Sequence, residues 1–228
     1  MGIKAYESIK AGLLTMWNGI SEQTPSSLKD AVNAGIAKIT DALEVAQLKI
    51  TALTSDKDYS DEYKQRRIAE IKQSNTEVYT AEVDKLNQAL QEEVEKLQGI
   101  LAIPKPKELD HGELLNLKAD LKMLLDSLDN RTAKTRLSQE LEKAIEKGDE
   151  IKAWLLGASN WPALYMESRG VSPEEWEAAK ETALVNKQTQ EQAEARQLLK
   201  LLTNKQKGVA AAINSIRFYA KACAGQLL

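Results

Sequence analysis

His111 is the only imidazole of this 228-residue chain and Cys223 its only thiol. Chemistry that needs an imidazole or a thiol would have to be built around one of them. Asp110, His111 and Glu113 place two carboxylates and an imidazole within one turn of chain. A zinc site needs four ligands drawn mostly from Cys and His, and no second His or Cys stands nearby. Asp-x-x-Glu ahead of a Leu-rich run is also the spacing of a capping box, in which the carboxylates accept from backbone N–H groups. A Ser-His-Asp mechanism would need His111 itself, and the chain has neither a Gly-x-Ser-x-Gly elbow nor a Gly-rich phosphate loop. Glu92, Glu93 and Glu95 could be read as paired acids, but acid–base pairs need unlike environments, and here all three fall on the polar face of a long helical stretch. Cys223 falls on an apolar seam and reads as a small buried residue; a lone cysteine also excludes an intramolecular disulfide. The expectation is of a protein that is not an enzyme, with no catalytic residues, no metal and no cofactor.

Binding chemistry is better represented. The last acidic side chain is Glu194, and Arg196, Lys200, Lys205, Lys207, Arg217 and Lys221 follow it without an acid. The preceding residues carry 25 basic against 34 acidic side chains. A basic end on an acidic body must face water or something negative. That surface is expected from the protein's own acidic helices, a neighbouring copy, another protein, a phospholipid headgroup layer or nucleic acid. Arg217-Phe218-Tyr219 interleaves charge with aromatic surface, as single-strand binders do. The candidate interface is therefore Arg196, Lys200, Lys205, Lys207, Arg217, Phe218, Tyr219 and Lys221. A second candidate is the aromatic group Trp154, Trp161, Tyr165 and Trp176, which could line a pocket in a stretch broken by Gly157, Pro162 and Gly170.

The elements that would position these residues are helical. Leu28, Val32, Ile36, Ile39, Leu43, Ala46, Ile50 and Leu53 recur every three or four positions, a stripe that must be buried against another helix. Thr24-Pro25 reads as N-cap and first helical residue, and residues 55–60 as a polar turn. A second helix is expected from about Asp61 to Ile103. Its seam runs Ile68, Ile71, Asn75, Val78, then Val83, Leu86, Leu90, Val94, Leu97 and Leu101, with a phase change between Val78 and Val83. At 1.5 Å per residue it would be about 60 Å long. Pro104-Lys105-Pro106 forbids helix. Beyond it, Leu114 to Leu128 and Leu137 to Ile145 continue the pattern, and Gly148 has the place of a C-cap. Ser172-Pro173-Glu174-Glu175 is the strongest helix start in the chain, opening a helix expected to reach Cys223.

The predicted fold is all-α: long antiparallel helices forming an elongated bundle or coiled coil, with a small irregular helical knot around residues 150–172. Residues 1–103 form an N-terminal region, a short amphipathic helix (Ile3, Tyr6, Ile9, Leu13, Met16, Ile20) and a long hairpin. Residues 104–109 form a Pro-rich connector. Residues 110–228 form a C-terminal region ending in a basic amphipathic helix. No signal peptide is visible and no apolar run is long enough to span a bilayer, which points to a cytoplasmic or virion protein. An acidic helical body with a basic helical end is similar in layout to bacteriophage scaffolding and other helical virion proteins. The expected function is a non-catalytic structural or assembly role through helix–helix contacts. The partners would be other copies of the chain, an acidic protein surface or, more weakly, nucleic acid. Deleting residues 195–228 should then leave a folded protein that no longer assembles. The alternatives are a membrane-active or membrane-shaping helical protein with peripheral lipid contact, such as a pore-forming toxin or a lipid-binding dimer, and a ligand-binding bundle with a Trp/Tyr pocket.

Overall fold

The computed structural model describes residue 11, residues 14–15 and residues 17–226, with side chains described as far as Phe218. The expected seam residues Ile3, Tyr6, Ile9, Leu13 and Met16, and the side chains of Tyr219, Lys221 and Cys223, lie outside the described residues. Among those described the protein is all-α, without a strand. No described helix is long and apolar enough to cross a membrane. The chain forms two compact units, Met1–Gln98 with Arg196–Leu228, and Gly99–Ala195.

In the first unit, helix α1 is Ser26–Ser55. Leu28, Val32, Ile36, Ile39, Leu43, Ala46 and Ile50 of the expected seam are buried. The start of α1 differs from expectation. Pro25, not Thr24, is the cap residue, because the Thr24 hydroxyl donates instead to the Ile20 carbonyl at 2.9 Å, closing the turn before it. Trp17 is also buried here, its indole N–H donating to Asn33 Oδ1 at 2.6 Å. Helix α2, Asp61–Leu101, begins at Ser60, whose hydroxyl accepts from the Tyr63 N–H. Its buried positions in this unit are Asn75, Tyr79, Val83, Leu86, Val94 and Leu97. The expected phase change is absent: Tyr79 carries the seam from Asn75 to Val83 in even steps of four, and Val78 stands 41% exposed beside it. Gly35 of α1 lets α2 close in, since a Cβ there would sit 3.0 Å from the Leu86 methyl.

The second unit holds α3 (His111–Asp126), α4 (Asn130–Lys147), α5 (Glu150–Gly157), α6 (Trp161–Ser168) and α7 (Pro173–Asn186). Helix α4 is the central element and packs on the other four. Leu137 and Leu141 on α4, Leu121 and Leu125 on α3, Leu155 and Leu156 on α5, Met166 on α6 and Trp176 on α7 close one core. The caps follow from sequence. Asp129 accepts from the Thr132 N–H to open α4, and Gly148 ends it at φ +67°, a conformation that favours glycine. Asp149 then opens α5 through the Lys152 N–H, and Ser172 opens α7 through the Glu175 N–H.

The single long helix expected from Pro173 to Cys223 is three helices: α7, α8 (Gln190–Thr203) and α9 (Val209–Gln226). Thr189 and Gln192 form a reciprocal capping box that starts α8 anew. The Asn204 carboxamide accepts from the Gln206 and Lys207 N–H groups and folds the second break. Gly208 completes it, where any Cβ would collide with the Leu201 carbonyl. Helix α9 packs on α1, burying Val209, Ala212, Ile213 and Ile216.

Candidate functional site

The basic end is an exposed edge on a packed element. With the apolar face of α9 turned inward, Lys200, Lys205, Lys207 and Arg217 are exposed, Phe218 is 70% exposed and Arg196 is half-buried. Lys200 lies in the last turn of α8, where a cation complements the helix dipole. Lys205 and Lys207 lie on the turn between α8 and α9. Deleting residues 195–228 would therefore uncover α1 as well as remove charge, so the truncation expected from sequence does not isolate the basic edge.

The four aromatic residues all belong to or pack against the core of the second unit. Trp176 is inside the core of the second unit. Trp161 and Tyr165 stack at 5.5 Å between centroids, and Trp154 lies half-buried with the Lys105 ammonium 6.0 Å from its ring centroid. Tyr165 anchors a polar clamp not apparent in the sequence. Its hydroxyl donates to Asp126 Oδ1 at 2.6 Å. Arg169 donates to the Tyr165 hydroxyl, to the Leu125 carbonyl at 2.6 Å and to the Leu128 carbonyl. Asn130 returns a bond to the Arg169 carbonyl at 2.6 Å. The guanidinium thus adds a further donor to the Leu125 carbonyl, which also accepts from the Leu128 N–H at 3.0 Å, and reaches the Leu128 carbonyl just past the end of α3. Burial, helped by the bond to Asp126, pushes the Tyr165 phenol above its ordinary range.

A second cluster centres on Glu140, a buried carboxylate on α4. It accepts from Lys152 at 2.6 Å and Lys143 at 3.0 Å and lies 3.3 Å from Arg136. Burial alone would raise its pKa, but the lysine hydrogen bonds and charges outweigh that and hold it below the usual glutamate range. His111 is exposed at the start of α3, where Asp110 accepts from the Gly112 N–H at 2.7 Å. Asp110 thus caps the helix through Gly112, one residue before Glu113. Among the described residues, no three His, Cys, Asp or Glu side chains converge as a metal site.

A further feature is a groove of about 360 Å³ between α1 and α2. Its floor is Ala42 and Ala46 opposite Ile71, Ser74 and Asn75, and its rims carry Val45, Lys49, Arg67, Glu70 and Val78. Small alanines across from a polar residue leave the seam unfilled. Asn75 is only 5% exposed, and its buried Nδ2 has no hydrogen-bond partner among the described residues. The one sequence signal for this groove was an Asn in an otherwise apolar seam. Comparison with protein families, curated proteins and solved structures finds no match to this chain.

Proposed function

We propose that this chain is a non-catalytic assembly protein that works through helix–helix contacts, as a homo-oligomer or within a larger structure. The observation that carries the reading is apolar surface on the hairpin left open to solvent: Val45 at 49%, Leu48 at 64% and Val78 at 41% exposure. Leu115 and Met123 on α3 add a second exposed apolar strip in the other unit. Val45 and Val78 line the unfilled groove, and exposed apolar side chains of this size are what a helical partner covers. The basic edge of Lys200, Lys205, Lys207 and Arg217 serves as the charged part of the contact, toward an acidic surface or the acidic body of a neighbouring copy. A role as virion or scaffolding protein is the narrower form of this reading and rests on charge layout alone.

The test is the solution mass of the full chain by light scattering after size exclusion, at low and high salt. A defined multimer, or an assembly that weakens with salt, supports the reading. A monomer at every salt and concentration refutes it. Reversing Lys205, Lys207 and Arg217 to Glu tests the basic edge without uncovering α1. An unchanged mass and salt response in that variant would remove the edge from the contact.

A further inference from the structure

Asn75 is the point where the hairpin is incomplete. A buried carboxamide donor without an acceptor is destabilising, and here it lines an open groove. What Nδ2 lacks is an acceptor, and the side-chain oxygen of a second copy's Asn75 is one that a two-fold axis brings to the same layer. Single buried Asn residues in helical seams act in this way, pairing with their own counterpart and fixing register and copy number.

The rims are self-complementary in the same sense. Lys38 and Glu82 join across the hairpin at 3.5 Å, which fixes the level of α1 against α2. About three turns further along α1, Lys49 stands level with Ile71 and next to the level of Glu70, the two charges on opposite banks of the groove, with Glu70 also ion-paired to Arg67 on its own bank. A copy rotated by two-fold symmetry about the long direction of the hairpin keeps these levels. It sets α1 of one chain antiparallel beside α2 of the other. Val45 then meets the Val78 bank, Lys49 meets Glu70, and the two Asn75 side chains face each other diagonally across a layer that Ala42 and Ala46 keep narrow.

We infer that the groove is the interface for a second copy of this chain, closing a four-helix bundle around a paired Asn75 layer. This rests on the assembly reading above and names its contact surface. A small ligand or an unrelated helix would fill the volume, but neither carries the matched Lys49 and Glu70 levels.

The test uses full-length K49E and E70K chains, alone and mixed. In K49E alone both rim pairs become acid against acid, and in E70K alone base against base. In a mixed pair both contacts are again opposite in sign. Each variant alone should show a dimer dissociation constant raised roughly tenfold at low salt. The equimolar mixture should recover the wild-type value, and circular dichroism should stay unchanged because both side chains are exposed. V45D/V78D should abolish the dimer. A wild-type chain that is monomeric overturns this inference together with the assembly reading. A wild-type multimer whose mass survives V45D/V78D, or singles that the mixture fails to rescue, overturns this interface alone.

Discussion

Replacing Glu140 by Gln tests whether the charged cluster on α4 stabilises the second unit. The Glu140 side chain is 10% exposed and its closest cation, Lys152, is 20% exposed, so that bond is shielded enough to matter. Lys143 and Arg136 are 45% and 38% exposed and are discounted to a few tenths of a kcal/mol each. A charged hydrogen bond at a shielded site is worth about 1.5–3 kcal/mol, so E140Q should cost about 2 kcal/mol at neutral pH. The pH dependence has a definite sign. The folded-state carboxyl is held below its ordinary value, so the unfolded chain takes up the proton more readily. The contribution of Glu140 is therefore complete above the ordinary glutamate pKa and is lost as pH falls through the lower folded value. Urea unfolding followed by circular dichroism at pH 7 and pH 3 reads both statements. The gap between wild type and E140Q should narrow in acid. Equal stability at pH 7, or a gap of the same size at pH 3, would refute this account.

Arg169→Ala should destabilise the second unit by about 2–3 kcal/mol, since it strips donors from the Leu125 and Leu128 carbonyls. Arg169→Lys should recover little, because an ammonium lacks the planar fork that reaches both; thermal melts compare the two. Leu137→Ala should cost about 2–5 kcal/mol and Leu115→Ala under about 0.5, because one is fully buried and the other exposed. Equal urea midpoints for that pair would contradict the assigned core. Gly157→Ala places a methyl into the Ile103 side chain and should lower stability by about 1–2 kcal/mol by calorimetry, despite the better helix propensity of Ala.

The helices were legible wherever apolar periodicity ran unbroken, as along α1, because burial imposes a repeat that survives in composition. Where the sequence reading failed, a polar residue held the decisive place. Tyr79 continues the α2 seam with a ring that an aliphatic pattern passes over in favour of Val78. Thr189 and Gln192 make a capping box inside a polar run that otherwise reads as exposed helix. Asn204 and Gly208 together break the helix, whereas glycine alone reads only as a weak spot. The basic residues could be counted from sequence, but the setting of Arg217 on a helix whose apolar face packs against α1, with Lys205 and Lys207 on the turn before it, could not, since that depends on a contact between distant parts of the chain. The Arg169 clamp was equally hidden: its partners are some forty residues away.

Helix α2 has two apolar edges, one through Tyr79 and Val83 turned into the chain and one through Val78 turned outward. Since the inner edge closes without the outer, folding and the proposed association would be separable events, the first independent of concentration and the second governed by mass action. Dilution should therefore change the mass of the protein while leaving its helicity intact. A chain whose helices were completed only by intertwining with another would lose both together. In the proposed assembly role, such a chain would persist as a folded subunit pool, and the amount of chain present would set when it assembles.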